Sequence, residues 1–514
     1  MKQKFLKIIL YLLLAFFIIV FVKNAWMGDD AFITMRTVDN FVNGYGLRFN
    51  IAERVQSFTH PLWMMLISFF YFTTREPYYT VLAISMVLSI YVMYRFLFET
   101  SKNRYSLFLG FTILLASKAF IDYTSSGLEN PLTYLFIILF CAEYFKDDKR
   151  SGSFFWLSFI AGLAMLNRLD TILLFFPALL YRFFKGENIG RKFIYGFIAI
   201  LPLIFWEIFS LLYYGFPFPN TYYAKMAGTV IPLYEYLLRG VIYFWDSLTM
   251  DPITLISIAL IAGMAFYEKR WKAIILILGA ILYLLYVLKA GGDFMSGRFF
   301  SAPLFLCVLT FVRYFKLKKE RASIFIILIA LYSIVSPYSP IFSGSDYRLD
   351  RVIIWEKLDD EKGILDERAY YPGTGLLRIL QGEELENYGL VERAKNYSKD
   401  DDSTRLFTVI SGMQAYYAPR TIHFVDYVGL TDALVSRMSP VNPHDWRIGH
   451  IEKDFPEGYF QTLAFDENVI ADEGISQFYE KMSLIVREDI FASGRIKEIF
   501  KVNTGQYDYL IGDN

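Results

Sequence analysis

The sequence predicts a polytopic α-helical membrane protein of about eleven transmembrane helices, followed by a C-terminal soluble α/β domain. Three observations lead there. Of 514 residues, 55% are hydrophobic and only 20% charged, a balance that soluble chains of this length seldom show. Apolar runs of near-spanning length recur up to residue 337, and beyond Tyr338 they stop while charges crowd in.

A crossing takes roughly 20 apolar residues, with a range of about 17–25. Segments close to that length run over 5–26, 81–98, 106–121, 131–145, 154–166, 171–184, 193–212, 252–267, 273–288, 299–315 and 322–337. The first follows Lys2, Lys4 and Lys7. Lys23, Asn24, Ala25 and Trp26 stand where a small-residue cleavage site would be, so it reads as a retained span. The run 61–72 is short for a crossing and reads as interfacial or re-entrant. Basic clusters at 182–192, 269–272 and 316–321 alternate so that each faces the cytoplasm together with the amino terminus. The loops 28–60, 122–129, 167–170, 213–251 and 289–298 then fall on the external face, as does the tail. The expected division is a membrane domain over 1–338, with a large first external loop over 27–60, and an external soluble domain over 339–514. In the tail, 406–410 and 421–425 alternate like strands, and 350–368 and 477–486 read as helices.

Charge and cysteine content exclude several classes. Fifty-one basic residues balance 51 acidic ones, so no global field favours nucleic acid. Cys141 and Cys307 both lie in apolar runs and build neither a disulfide framework nor a zinc site. His60, His423, His444 and His450 lack metal-ligand spacing, and ordinary surface or core roles are expected of them. Asn396, Tyr397 and Ser398 form a glycosylation sequon, a three-residue pattern that often occurs incidentally.

The residues able to do chemistry lie on the external loops. Asp29 and Asp30 follow the first span directly, at the membrane surface. Such a pair can deprotonate a hydroxyl, orient it, or hold a divalent cation beside a phosphate; the plainer reading is a solvated pair capping the next helix. The loop goes on through Arg36, Asn40, Gly44, Gly46, Asn50, Glu53, Arg54, Ser57, Thr59, His60, Pro61 and Trp63, dense in polar and turn-forming residues. Arg168 and Asp170 sit between two apolar segments, where charge is costly and marks function, or else an ion pair closing a short turn. Lys225 follows an aromatic, proline-broken stretch over 213–223 that reads as a sugar groove or an interfacial aromatic belt. With Arg298 it completes three external cations suited to a lipid phosphate.

The order from Asp29 to Trp63 resembles the first external loop of the GT-C glycosyltransferases, in the branch containing the mycobacterial terminal arabinofuranosyltransferases. Ala52 stands where that branch usually has glycine, and Gln56 where an acidic residue is common. Further stretches with the same resemblance begin at Ser126, Asn167, Tyr214, Gly291, Asp426 and Trp446. The resemblance implies a GT-C fold in a bacterial inner membrane, with the active site on the external side. It implies transfer of a sugar from a polyprenyl-phosphate donor to a cell-envelope glycan or glycolipid. Asp29 or Asp30 would be the catalytic base, and Arg168, Lys225 and Arg298 would hold the donor phosphate. Arg36, Glu53, Thr59, His60, Trp63, Glu129, Asp170, Asn220, Tyr222, Asp293, Asp426 and Asp432 would line the substrate sites. No metal ligand is assigned, though a divalent cation is compatible with the carboxylate pair. The rival readings are a transporter or lipid-linked glycan flippase, and a lipid-diphosphate-dependent glycan polymerase or ligase.

Overall fold

A computed structural model of the chain describes residues 2–146, 151–186, 188–226, 231–343, 363–385, 389–396, 406–408, 412–442 and 446–512. Most of the helix expected over 350–368, His444, and Tyr397 and Ser398 of the sequon lie outside the described residues. The chain divides into two compact units that do not follow chain order. One comprises Met1–Gly28, Tyr78–Leu203 and Leu233–Glu383; the other comprises Asp29–Pro77, Ile204–Pro232 and Glu384–Asn514.

The first unit is built from helices, and its apolar segments form them because unbroken apolar runs leave no other way to satisfy the backbone away from water. Lys4–Asn24, Pro77–Thr100 and Trp271–Lys289 are each long and apolar enough to cross a membrane, by length and composition. A bent pair, Leu233–Met250 with Pro252–Tyr267 (105°), lies in this unit, and a second, Ile189–Ala199 with Leu201–Tyr213 (45°), runs from this unit into the other; each counted as one span, they bring the count among the described residues to as many as five. All eleven expected segments are largely helical, but several of their helices are shorter than a full crossing. The segment 106–121 is two helices, Arg104–Ala116 and Lys118–Asp122. Ser117 separates them, its hydroxyl accepting from the Phe120 N–H at 3.0 Å as an N-cap. Leu233–Met250 is a further helix, inside what sequence read as an external loop.

Small residues let these helices touch. A side chain at Gly279 would lie 2.1 Å from the Leu174 carbonyl oxygen, and one at Gly240 would lie 2.2 Å from that of Leu288. A polar network also holds the end of the first helix. Lys118 reaches Asp122 at 2.5 Å and Asp366 at 2.9 Å, while Arg368 donates to the Asn24 amide oxygen at 2.6 Å and to Asp122 at 3.3 Å.

The second unit joins the expected first loop to the tail in shared cores. The loop is not irregular, because Asp29–Val42 is a helix with ten buried residues. Its Ile33 packs with Phe49, Ala415, Ile422 and Phe424, and Val55 packs with Phe216, Val425, Met482 and Ile485. Leu406–Thr408 pairs in parallel with His423–Val425, and the helix Gly412–Tyr417 lies in the connection, as parallel pairing requires a crossover. Helix Glu473–Val486 begins where Asp472 accepts from the Ile475 N–H at 2.8 Å. The run 61–72 becomes the apolar helix Pro61–Thr74, started by proline and closed by Arg75 in the left-handed conformation.

Gly279→Val forces backbone apart at the Leu174 contact and is expected to cost about 1–3 kcal/mol. A thermal-unfolding series on purified protein should show a lowered midpoint, with Gly263→Val, whose Cβ meets nothing within 4 Å, as the tolerated control.

Candidate functional site

Asp29 and Asp30 occupy the first turn of helix Asp29–Val42, and the chain treats them differently. Asp29 is buried, and its two carboxylate oxygens accept from the backbone N–H groups of Gly412 (2.6 Å) and Met413 (2.9 Å). It therefore caps the start of Gly412–Tyr417. Gly412 is required there, since a Cβ would lie 2.4 Å from the Asp29 carbonyl oxygen. Asp30 is half-buried.

Four of the expected substrate residues of the second unit, Arg36, Asn220, Asp426 and Asp432, fasten the backbone. Arg36 is buried and donates to the carbonyls of Phe49 (3.0 Å), Ile422 (3.0 Å) and Ala415, with its guanidinium 4.8 Å from the Phe424 ring centre. Burial pulls its pKa down to about 9. His60 shares a hydrogen bond with Thr34 at 2.8 Å, and Trp63 is fully buried. Asn220 donates to the carbonyls of Gly429 (2.7 Å) and Asp432 (2.9 Å) and accepts from Ser436, shaping the turn between them. Asp426 accepts from the N–H groups of Val428, Leu430 and Thr431; burial nevertheless raises it to about 7 against those bonds. Thr59 and Tyr222 are exposed, and Lys225 is half-buried at the end of helix Asn220–Lys225.

Glu53 and Asp432 meet a residue that sequence spacing had set aside. Glu53, His423 and Asp432 are all buried, and one ligand-type atom from each lies within 4.8 Å of the others. Burial, then the charge of Asp432, pushes Glu53 up to about 8, and burial pushes His423 down to about 3. His423 is thus a buried core histidine, as one of the two expected roles has it, and it also stands beside two carboxylates. No sequence interval could have revealed a cluster whose members lie hundreds of residues apart.

In the first unit Arg168 and Arg298 come together on one carboxylate. Glu129, fully buried, accepts from Arg168 at 2.8 Å and from Arg298 at 3.2 Å. Arg168 also grips Asp170 through two nitrogens (3.0 and 2.6 Å), and Arg298 lies 3.5 Å from Asp293. Glu129 immediately precedes helix Asn130–Phe145, and Arg298 precedes helix Ser301–Tyr314, so the N-terminal ends of two helices add partial positive charge. The cluster thus sets two guanidiniums and two helix ends against three carboxylates. Lys225 belongs to the other unit. A cavity of about 220 Å³ in the first unit is lined by Arg95, Glu99, Cys141, Lys146 and Arg313 and holds none of the expected site residues.

Apolar helices of spanning length, with buried carboxylates and guanidiniums gathered at helix ends, define a helical membrane protein. The chain is similar to two glycosyltransferases. It is 25% identical over 331 residues to the terminal β-(1→2)-arabinofuranosyltransferase of Mycobacterium tuberculosis, covering 56% of this chain and 52% of that protein. It is 26% identical over 344 residues to the terminal β-(1→2)-arabinofuranosyltransferase of Corynebacterium glutamicum, covering 55% and 47%. The chain spans about half the length of these relatives. No protein-family model matches it.

Glu129→Ala leaves the buried Arg298 and the partly buried Arg168 short of a counter-charge and is expected to cost about 3–5 kcal/mol. Thermal unfolding of the purified variant should show a midpoint well below that of the parent; an unchanged midpoint would mean that Asp170 and Asp293 alone balance the pair.

Proposed function

We propose that the protein is a membrane glycosyltransferase that moves a sugar from a polyprenyl-phosphate donor to a cell-envelope glycan or glycolipid on the external face of a bacterial inner membrane. The observation that carries this reading is the similarity to two arabinofuranosyltransferases over more than half the chain. Those names make a pentofuranose the first sugar to try. In this reading residues 1–338 form a GT-C membrane domain crossing eleven times, and the tail over 339–514 guides the acceptor.

The acceptor hydroxyl attacks the anomeric carbon, its proton passes to a carboxylate, and the bond from that carbon to the phosphate oxygen breaks to release polyprenyl phosphate. Asp30 is the better base of the pair. Both oxygens of Asp29 are committed to the N–H groups of Gly412 and Met413, which makes it a positioning residue that fixes the helix start. Arg168 and Arg298, already converging on Glu129, supply positive charge for the departing phosphate when donor oxygens share their donors. Two bent helix pairs favour a transporter as the second reading, since broken helices line many transport sites.

Purified protein incubated with radiolabelled polyprenyl-phosphate sugars should release free polyprenyl phosphate. Consumption of lipid-diphosphate donors alone would favour the polymerase or ligase, and movement of an intact lipid-linked sugar across a vesicle without cleavage would favour the transporter. Asp30→Asn should lower transfer about 100-fold or more with expression intact. Full turnover in Asp30→Asn, Asp29→Asn and the double variant would return the pair to a capping role.

Topology has its own check. Asn43→Cys and Ser493→Cys, both at exposed positions, are introduced after Cys141 and Cys307 are replaced by serine. Each thiol should react with an impermeant maleimide added outside intact spheroplasts, and labelling only after permeabilisation would overturn the external placement.

A further inference from the structure

Glu53, His423 and Asp432 have no step in the reaction proposed above. Glu53 comes from the segment after helix Asp29–Val42, His423 opens the strand His423–Val425, and Asp432 precedes the short turn Val435–Arg437. Glu53 Oε1 and His423 Nε2 face each other at 3.6 Å.

Counting hydrogens shows what this cluster lacks. The Asn50 amide nitrogen carries two, and it contacts the Phe424 carbonyl at 2.9 Å, Glu53 Oε1 at 3.3 Å and His423 Nε2 at 3.3 Å. One hydrogen goes to the short bond with Phe424, which leaves one for the two longer contacts, to the Glu53 carboxyl and, in the tautomer whose Nε2 accepts, to His423. Asp432 accepts from the N–H groups of Leu434 (2.9 Å) and Val435 (2.8 Å) and from the Tyr459 hydroxyl (2.8 Å), all neutral donors. The Arg487 guanidinium acts on the two carboxylates from a distance, being bonded to Tyr479 at 2.8 Å and lying 3.4 Å from Asp466. Among the described residues, two buried carboxylates and an imidazole thus converge with only long contacts between Glu53 and His423 and no cation bonded to either carboxylate, and a buried carboxylate needs a partner, a proton or a metal.

We propose that Glu53, His423 and Asp432 bind one divalent transition-metal cation that ties the first loop to the tail within this unit. Two carboxylate oxygens and one imidazole nitrogen suit Zn²⁺ or Mn²⁺ better than an ion that prefers oxygen alone. Bonds of about 2.1 Å in a tetrahedral site put ligand atoms about 3.4 Å apart, close to the 3.6 Å between Glu53 and His423 and at most about 1.4 Å less than the widest separation in the cluster. Tyr459, on Asp432, is already placed to orient that ligand, while the long Asn50 contact to His423 Nε2 gives way when the ion takes that lone pair.

The test uses full-length protein in detergent, stripped with EDTA and then titrated with ZnCl₂, MnCl₂ or CaCl₂. Calorimetry, metal content by mass spectrometry and thermal unfolding are followed together. One Zn²⁺ or Mn²⁺ per chain is expected, with a raised unfolding midpoint, and Glu53→Gln and His423→Gln should each weaken binding about 100-fold while the stripped Glu53→Gln protein unfolds near the stripped parent. Should His423→Gln fail to fold, the near-isosteric Glu53→Gln decides alone. Absence of a stoichiometric ion, a Ca²⁺-only response, or wild-type binding in Glu53→Gln would overturn the proposal. None of these readings depends on sugar transfer, so the site stands or falls apart from the proposed activity.

Discussion

The second unit depends on one buried contact, the Asp29 carboxylate on the N–H groups of Gly412 and Met413. A helix start leaves backbone donors unsatisfied, and burying them without a partner costs about 1–3 kcal/mol each. Asp29 supplies two acceptors and a full negative charge, and Gly412 makes the approach sterically possible. Once helix Asp29–Val42 is set against Gly412–Tyr417, Arg36 comes within reach of the carbonyls of Phe49, Ala415 and Ile422. Asn50 then bonds both the N–H and the C=O of Phe424 and places Glu53 beside His423. Backbone groups with no regular partner are thus satisfied by side chains more than 370 residues away in sequence.

In the first unit the same problem is solved with ions. Charges buried among apolar helices persist only when paired, and each pair here sits where helices begin or end. Glu129 holds two guanidiniums, and Asp122 holds Lys118 and Arg368. The helices between them meet through glycine, where backbone can approach backbone.

The apolar segments were legible because length and composition alone force a long apolar run to be helical. Their interruptions needed finer chemistry: Ser117 caps the helix after it, and Pro202 lies just past the bend between Ile189–Ala199 and Leu201–Tyr213. Helix Leu233–Met250 escaped notice because Glu235, Arg239 and Asp246 break its apolar run, although its apolar residues recur with a helical period. The tail strands could be read from alternation, and the sequence also brought out the polar loops that carry Glu129, Arg168 and Arg298. What it could not give was pairing. Glu53 and His423 are separated by an entire set of helices, and Arg36 looks like a ligand-binding cation until its carbonyl partners are seen.

The neighbours Asp29 and Asp30 show why a carboxylate pair resists reading from sequence. Successive residues on a helix point about 100° apart, so two adjacent aspartates cannot serve the same contact. One faces Gly412–Tyr417 and is bound by backbone; the other is half-buried. A carboxylate fixed by two N–H donors cannot approach an incoming hydroxyl without exposing those donors, whereas its neighbour on the same rigid helix can be held in place by that very contact. Anchoring and reactivity are therefore complementary demands on the pair, and the residue that holds the helix start determines where the other can act.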